Sequence, residues 1–389
     1  MEYYNTYSDE YITQLNSSSR VYLIKIELLD MWENVIGEII KDISSENQGR
    51  ISVSYNQGLR RSCNLTLSNI DEKYTPNENS YFWFNRKFKI YIGLVCGINI
   101  YWWSQGVYVT KHITSDDNVV NIEGVDKFAF LDGTLKLNMA ETKYVAESGT
   151  SIRQLIQETL LLDLGNGLPV DSIEPIIDAQ FNKAVLQREI SVEEGGYIGE
   201  IFTELANSYS AEIYYDIDGH LIMHNQYNDS STATFYCIPH LWNYDNKIKS
   251  HISGLSSDYS YENINCITVY TNSSKEENFS YTAYNTNPRS PLRVSLNGIR
   301  RGESQEISIT YTDDDTEDRC RQYAEHLLST HILQSVSKTF NSILIPHLDV
   351  GKAIGIGEDR ETYIIQSLTL PLGVGEMNVT ATNLQWLPD

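Results

Sequence analysis

The sequence predicts a mainly β protein with a small α/β segment in its middle. Three observations predict this: apolar residues recur at every second position over residues 21–131, change to helical spacing over about 150–210, and return to the period of two from about residue 264. The chain has 389 residues, which is more than one hydrophobic core usually serves, so two or three domains are expected.

The first block, residues 1–138, is predicted to be an antiparallel β-barrel or sandwich. Ile51, Val53 and Tyr55 alternate with polar residues. Turns rich in Gly, Asn and Asp separate further short strands, predicted at 88–94, 98–103, 107–113 and 119–122.

The middle segment, residues 139–238, is predicted to be a small α/β domain. Thr150 or Ser151 is placed to cap a helix over residues 152–160, which Gly165 and Gly167 would end. A second helix is predicted from about residue 194 to 209. It leads into a hairpin of strands 212–215 and 220–223, because an Asp-Gly pair in the turn tolerates positive φ.

The last block, residues 239–389, returns to strands and contains one helix near 315–332. The run Asp313–Asp315 supplies an N-cap for this helix, and Glu317 and Asp318 suit the positive end of its dipole. The helix carries an apolar stripe of Cys320, Tyr323, Ala324, Leu327, Leu328 and His331. Strands are predicted at 264–270, 292–294, 307–311, 338–345, 353–356, 363–370 and 377–384.

Charge limits the function classes. The formal charge of −23 repels nucleic acid and anionic lipid, so sequence-specific DNA binding is not expected. An acidic surface does permit DNA to slide past without adhering, although simple solubility explains the charge equally well. The 27 tyrosines outnumber the 10 phenylalanines, which fits half-buried strands and protein–protein surfaces. A general compositional bias explains this excess as well.

The five cysteines are odd in number, widely spaced and lack a Cys-x-x-Cys pair. Zinc sites and disulfide frameworks need tighter patterning, so buried thiols in a reducing compartment are expected. The polar N-terminus does not resemble a secretion signal. No apolar run approaches the about 20 residues of a membrane helix, so we expect no membrane anchor.

Three acidic or histidine-containing motifs invite a metal interpretation. Residues 216–219 (DIDG) resemble the start of a calcium loop, but the later ligands are missing and a hairpin turn is favoured. His220 and His224 would lie about 13 Å apart on a strand that rises about 3.3 Å per residue, too far for one metal. Helix capping explains the acidic run 313–318 better than a cation site does.

The sequence predicts no enzyme. Gly351, Gly355 and Gly357 lack the Gly-Lys-Ser/Thr ending of a phosphate loop, and turns explain them better. No nucleophile elbow is present, and any acidic pair for glycan hydrolysis would be chosen arbitrarily. We therefore expect no catalytic residues, no cofactor and no metal.

A different class of function, binding to cell wall or carbohydrate, is an alternative for the middle segment. Tyr214, Tyr215, Tyr227 and Trp242 are aromatic residues that could stack on sugars. Ordinary strand packing is favoured, because aromatic side chains suit both roles.

Several stretches together resemble one family over nearly the whole chain. In the first and middle parts they are 101–109 (YWWSQGVYV), 123–127 (EGVDK), 131–133 (LDG), 149–153 (GTSIR), 201–206 (IFTELA) and 211–221 (AEIYYDIDGHL). In the last block they are 345–352 (IPHLDVGK), 363–368 (YIIQSL) and 375–377 (GEM). In this order they resemble the central baseplate hub proteins of contractile phage tails and phage-tail-like particles. Lys352 departs from the pattern, which has an acidic residue there.

The resemblance implies two tail-tube-like antiparallel β-barrel domains flanking the α/β middle domain. It implies a homotrimer that links a hexameric tail tube to a central spike and lines the channel. Its partners would be the tail tube protein, the spike, baseplate wedge proteins and the tape-measure protein, and DNA would pass without specific binding along an acidic wall. The particle would be assembled in the host cytoplasm and the protein located in the tail baseplate of the virion. The tail-tip hub of a non-contractile tail is the nearest alternative.

Overall fold

The structure is a computed structural model. It describes residues 8–40, 42, 49–55, 58–70, 72–77, 81–116, 118–136, 143–163, 168–186, 189–209, 211–225, 253–259, 264–271, 279–302, 305–307, 316–334, 336–356 and 361–383.

The first block consists of one short helix followed by seven strands and a 3₁₀ turn. Ser8 caps the helix, because its hydroxyl accepts a hydrogen bond from the Tyr11 N–H. The elements are α1 (Asp9–Leu15), β1 (Tyr22–Leu29), β2 (Val35–Ile39), β3 (Gly49–Ser54), β4 (Arg61–Ser68), β5 (Lys87–Cys96), β6 (Asn99–Asp116), β7 (Val119–Asp126) and the 3₁₀ helix Lys127–Phe130.

Strand β6 joins two segments that the sequence predicts as separate strands, 98–103 and 107–113. The connecting Gly106 has a φ of 127°, and the register with β5 shifts between Ile90 and Tyr91. The polar residues Ser104 and Gln105 are typical of a turn, which is why the sequence predicts two strands. In the structure a β-bulge lies at this point, so the strand bends and continues.

The middle segment contains two helices between short strands. The elements are β8 (Tyr144–Ala146), α2 (Ile152–Leu160), β9 (Ile176–Ile177), the 3₁₀ helix Ala179–Lys183, β10 (Ile190–Val192), α3 (Glu200–Tyr209), β11 (Ala211–Tyr215) and β12 (Leu221–Asn225).

Helix α2 and the β11–β12 hairpin lie where the sequence predicts them. Ser151 is the N-cap residue of α2, although its side chain makes no capping hydrogen bond. Gly165 and Gly167 lie outside the described residues. The predicted start of α3 near residue 194 is wrong. Gly195 has a φ of 81°, and the Gly196 N–H bonds to the Glu193 carbonyl, so a turn delays the helix.

Within the described residues, the last block contains eight strands and two helices. They are β13 (Ser253–Tyr259), β14 (Cys266–Thr271), β15 (Ser280–Tyr284), α4 (Val294–Asn297), β16 (Gln305–Ile307), α5 (Thr316–Gln334), β17 (Val336–Ile343), β18 (Ala353–Ile356), β19 (Glu361–Pro371) and β20 (Glu376–Asn383).

The strand predicted at 292–294 is wrong, because a turn leads into α4 here. The Asn285 side chain bonds to Ser290 Oγ, and the Val294 N–H bonds to the Asn285 carbonyl. This local network fixes a compact loop that competes with strand pairing. Helix α5 occupies the expected region, and Cys320, Ala324 and Leu328 of its stripe are fully buried.

Strands of the first and last blocks form one large sheet. Its order is β13-β17-β20-β19-β3-β4-β7-β6-β5-β1-β2, with β18 beside β19. The two blocks meet where β19 pairs antiparallel with β3, from Ser367 opposite Ser54 to Pro371 opposite Arg50. The mainly β class with an α/β insert is confirmed. The barrel detail is corrected: the sheets of the described residues are open rather than closed.

Three hydrophobic cores support these elements. The largest contains residues of both strand-rich blocks, including Ile51, Phe88 and Val379. A second lies under α2 and α3, and a third is formed by α5 against β14 and β15. Because the first core draws on both blocks, their large sheet is packed as one unit.

Candidate assembly surface

The outward face of the large sheet carries two rows of small, uncharged polar side chains. Along each row the residues are register partners on successive strands from β13 to β4. One row is Ser256, Thr339, Thr380, Ser367 and Ser54; the other is Ser253, Asn341, Asn378, Thr369, Ser52 and Ser62. We call these two rows the polar face. Every member is Ser, Thr or Asn, so the polar face contains no charge.

The polar face satisfies part of its own hydrogen bonding. The Thr339 and Thr380 hydroxyls lie 3.1 Å apart, and Asn378 Nδ2 donates to Asn341 Oδ1 at 2.9 Å. Side chains that bond laterally across strands stabilise the sheet and leave fewer groups to hold another molecule. The two rows are therefore uncharged, but charged side chains border them: Ser253 Oγ donates to Glu376 Oε2 at 3.2 Å, and exposed Arg50 precedes Ser52 by two positions on β3.

Strand β13 forms one edge of this sheet. It pairs only with β17 within the described ranges, and all of its residues are exposed, including Leu255 and Tyr259. A strand exposed on both faces with a free row of N–H and C=O groups is a template for pairing with another chain.

The far end of β6 forms a second open edge. Strand β5 pairs with β6 only as far as Val109, whereas β7 continues to pair with it up to Asp116 opposite Val119. On the side away from β7, residues 111–116 have no strand partner among the residues that the structure describes. From β13 to β6, both included, the sheet has eight successive strands, and they contain the whole polar face.

Two adjacent arginines tie the three segments of the chain together. Arg60 Nη2 lies 2.9 Å from Glu212 Oε2 in the middle segment, and Arg61 Nη2 lies 2.6 Å from Asp349 Oδ2 in the last block. The Arg60 guanidinium also stacks on Tyr214, 3.4 Å from the ring centroid. Each segment is thereby fixed to the same point on the sheet.

Asp126 holds the backbone of both arginines. One carboxylate oxygen accepts the N–H groups of Arg60 and Arg61 at 2.7 and 2.8 Å, and the other accepts the Phe128 N–H at 2.9 Å. Burial raises the pKa of Asp126 to about 6, although these donors and Arg61 lower it.

The Glu212 carboxylate is surrounded by donors. Tyr55 and Arg60 donate to it, and His224 Nε2 lies 3.2 Å away. Burial alone would raise the pKa of Glu212, but Arg60 and His224 outweigh it and hold that pKa well below its usual range. This carboxylate therefore stays ionised and serves as a structural anchor.

The structure places the predicted calcium-like residues in the hairpin turn. Asp216 Oδ1 accepts the N–H groups of Asp218 and His220, and Gly219 has a φ of 87°. Lys89 of β5 lies 2.9 Å from Asp218. The Asx-type turn uses the Asp216 carboxylate internally and docks the hairpin on the sheet.

The two histidines contact different carboxylates. His220 Nδ1 lies 3.4 Å from Asp216 Oδ2, whereas His224 contacts Glu212. Across the described residues, no group of three or more His, Cys, Asp or Glu side chains is placed to hold a metal ion. The same part of the chain contains no helix long and apolar enough to cross a membrane.

The remaining candidate residues are interior or lie outside the described residues. Tyr214 packs under Arg60 and Tyr215 is 1% exposed, so neither offers a sugar-stacking surface. Cys63, Cys96, Cys266 and Cys320 are buried free thiols. Burial lowers the pKa of Lys352, beside Asp349 and Arg61. The residues outside the described ranges are Tyr227, Trp242, Cys237, Gly357 and Asp313–Asp315.

Sequence reasoning missed the polar face and the arginine pair. Serine, threonine and asparagine alternate with apolar residues in β3, β4, β17 and β20, which was a visible signal. The register that joins the rows depends on pairing between residues more than 300 positions apart, as in Ser54 and Ser367. Local spacing contains no information on such pairs.

Solved phage-tail proteins share this fold. A 43 kDa tail protein of prophage MuSo2 from Shewanella oneidensis gives a TM-score of 0.54 at 12% identity, covering 95% of this chain and 100% of that one. A tail protein from Neisseria meningitidis MC58 gives 0.57 at 12% identity, covering 95% and 99%. A chain of the Francisella PdpA–VgrG complex gives 0.50 at 9% identity, covering 96% and 59%. No protein-family model and no curated protein matches the sequence.

Proposed function

We propose that the protein is a structural baseplate hub of a phage tail or phage-tail-like particle, without catalytic activity. The observation that carries the proposal is the single sheet shared by both strand-rich blocks, which has an open edge at β13 and a stretch of β6 that β5 leaves unpaired. The fold shared with solved tail proteins supports the same role.

The open edges favour assembly of identical copies into a ring. The β13 edge of one copy would pair with the β6 overhang of the next. Such a contact is heterologous, because two different surfaces meet, and it gives a closed ring when the rotations between successive copies add up to a full turn. The family resemblance implies three copies, and each copy would contribute eight adjacent strands to a continuous wall. The tail tube and the central spike would dock on opposite ends of this ring, with wedge proteins at the rim.

In this ring we assign the polar face to the channel wall. Rows of Ser, Thr and Asn offer no cation to a phosphate backbone, so DNA or the tape-measure protein would pass with little adhesion. The acidic residues behind the formal charge of −23 would then lie outside these two rows, and their charge would repel nucleic acid over a longer distance. The protein would be located in the tail baseplate of the virion.

Mass measurement in solution tests the proposal. A stable trimer is expected for the wild-type chain, alone or with its spike and tube partners. Leu255→Lys on β13 should dissociate the trimer without unfolding the chain, because Leu255 is 51% exposed in the single copy. Val374→Lys is the matched control, because Val374 is fully exposed in the turn between β19 and β20 and is not part of β13.

Cysteine cross-linking locates the contact. Ser256→Cys combined with Thr114→Cys should give covalent species up to the trimer under oxidation, while each single variant should remain uncross-linked between copies. The native thiols described are buried and should not interfere. A wild-type chain that stays monomeric with its partners present, or a double variant that never cross-links, would contradict the assigned edges.

A further inference from the structure

A buried cluster of two lysines and two carboxylates lies between the first block and the middle segment. It consists of Glu33, Lys87 and Lys127 from the first block and Asp171 and Tyr215 from the middle segment. We call it the two-lysine cluster. Its four charged side chains are between 0 and 8% exposed, so water has almost no access to it.

Lys127 and Asp171 are in direct contact within the cluster. Lys127 Nζ lies 2.7 Å from Asp171 Oδ2, and the Tyr215 hydroxyl donates to the same oxygen at 2.8 Å. The other carboxylate oxygen, Oδ1, accepts the Ile173 N–H at 3.1 Å and lies 3.8 Å from Lys87 Nζ. The carboxyl group is thus held in one orientation against the amine.

Glu33 bridges the two lysines. Its Oε1 atom contacts Lys127 Nζ and lies 3.1 Å from Lys87 Nζ. Glu33 also has a φ of 66°, a left-handed conformation that is uncommon outside glycine. This is the left-handed position of the turn between β1 and β2, where the Glu33 N–H bonds to the Asp30 carbonyl, and the turn directs the carboxylate into the cluster.

Aromatic rings border the charges. The Tyr215 ring centroid lies 4.9 Å from Lys127 Nζ, and the Phe130 ring centroid lies 5.9 Å from Lys87 Nζ. Buried ion pairs carry a desolvation cost that their attraction often fails to offset. A reaction that removes two of the four charges is therefore favoured here.

We propose that Lys127 and Asp171 condense to an amide bond between their side chains, with Glu33 transferring the protons. Lys127 Nζ attacks the Asp171 carboxyl carbon, the new C–N bond forms, and one C–O bond of the carboxyl group breaks. Glu33 accepts a proton from the lysine ammonium, and the departing Oδ2 atom, to which the Tyr215 hydroxyl already donates, takes up the two protons that the nitrogen loses and leaves as water. Atoms and charge balance, and no oxidant, reductant or cofactor is needed.

The surroundings supply what the reaction requires. The Ile173 N–H and the nearby Lys87 ammonium stabilise negative charge on Oδ1 when the carboxyl carbon becomes tetrahedral. Fixed contact between amine and carboxyl group removes the entropy cost of bringing them together. Exclusion of water favours condensation and protects the amide from hydrolysis.

The second lysine provides a route to the neutral amine that attack requires. Burial, followed by the positive charge of Lys127, lowers the pKa of Lys87. Both lysine side chains contact Glu33 Oε1, so a single carboxylate oxygen connects Lys87 to Lys127. After condensation, Lys87 and Glu33 remain as one neutralised ion pair.

The cross-link would join the 3₁₀ helix at Lys127 covalently to the middle segment. The two segments would then stay docked even when the chain is pulled or partly unfolded, since the cross-link restricts the unfolded state as a disulfide does. This inference holds independently of the proposed assembly function.

Intact mass spectrometry of the denatured, purified wild-type chain is the test. The expected mass is lower than the sequence mass by one water, and fragmentation should identify a branched peptide that joins Lys127 to Asp171. Lys111 and Glu123 form an internal control, because they are exposed and also lie 2.9 Å apart, yet should remain uncross-linked. The full sequence mass, or a water loss without a branched peptide, would overturn the proposal.

Variants assign the roles. Lys127→Arg and Glu33→Gln should restore the full mass, and the matched control Lys89→Arg, which changes a lysine paired with Asp218 outside the cluster, should retain the cross-link. A cross-link lost in Lys87→Arg and kept in Lys127→Arg would overturn the choice of nucleophile. Unchanged cross-linking in Glu33→Gln would overturn the role of Glu33.

Discussion

His347 and Asp126 are buried ionisable residues with opposite effects on the pH dependence of stability. His347 Nδ1 lies 2.7 Å from the Tyr11 hydroxyl, and its ring centroid lies 5.2 Å from that of Trp103. Burial lowers the pKa of His347 to about 3 and raises the pKa of Asp126 to about 6. In both residues burial favours the neutral form, which lowers the pKa of a histidine and raises the pKa of a carboxyl group.

Replacing His347 should reduce acid sensitivity. In the unfolded chain a histidine gains a proton below about pH 6.5, whereas folded His347 stays neutral, so its share of stability is present above that pH and lost as the pH falls. The slope is about 1.4 kcal/mol per pH unit. His347→Gln, measured by urea unfolding from pH 7 to pH 5, should lose less stability over this range than wild type. An equal loss in both proteins would contradict the assignment.

Asp126→Asn tests the opposite sign. The folded pKa is raised, so the proton-linked stability is full below the unfolded pKa of about 3.9 and is lost as the pH rises through about 6. Wild type should therefore gain stability relative to Asp126→Asn as the pH falls from 6.5 to 4.5, by up to about 1.4 kcal/mol per unit. Asparagine lacks the second acceptor oxygen, so the Asp126→Asn variant should also be less stable than wild type at every pH in this range. A constant difference across this range would show that Asp126 does not titrate there.

At the scale of elements, the structure depends on contacts between segments that are distant in sequence. Arg61 begins β4 and Arg60 directly precedes it, whereas their partners Glu212 and Asp349 lie on β11 and before β18. The Arg60–Glu212 pair is 4% and 3% exposed, so loss of one partner leaves a buried charge without compensation.

A double-mutant cycle measures this pair. Arg60→Met alone and Glu212→Leu alone should each cost about 3–5 kcal/mol, because each leaves the other charge buried. The double variant should recover much of that loss in chemical denaturation, since two apolar side chains replace the pair. Additive losses in the double variant would show that Arg60 and Glu212 act separately.

Gly199 sets how closely α3 packs on the first block. Its N–H bonds to the Leu131 carbonyl at 3.0 Å, and an added Cβ would lie 2.3 Å from that oxygen. Gly199→Ala should destabilise the protein by about 1–3 kcal/mol through backbone displacement. Gly37→Ala is the control, because its nearest neighbour would lie at 3.4 Å. Equal thermal stability of the two variants would contradict the packing argument.

At the scale of the whole molecule, a formal charge of −23 acts against association of copies. Salt screens such repulsion over about 10 Å at 0.1 M ionic strength. For the proposed ring, the fraction of chain in trimers at fixed protein concentration should therefore rise between low and physiological salt, measured by analytical ultracentrifugation. A fall over the same range would indicate that ion pairs between copies hold the assembly together, and not strand pairing.

Local elements were predictable where one face of the chain is buried. Helix α2, the β11–β12 hairpin and the buried stripe of α5 follow from apolar spacing and turn residues, which act over a few positions. The start of α3 and the loop before α4 were not predictable, because a glycine turn and an asparagine network override the apolar pattern there. Competing local hydrogen bonds decide such boundaries.

The sequence by itself determined the β-rich class, the α/β insert, the acidic charge and the absence of a recognisable catalytic motif. The tertiary structure alone decided that β19 pairs with β3, which turns two strand-rich blocks into one open sheet and aligns the polar face. It also decided which charges are buried together, as in Arg60 with Glu212 and Lys127 with Asp171. The physical reason is range: propensity and periodicity act between near neighbours, whereas register and ion pairing depend on contacts that only the folded chain forms.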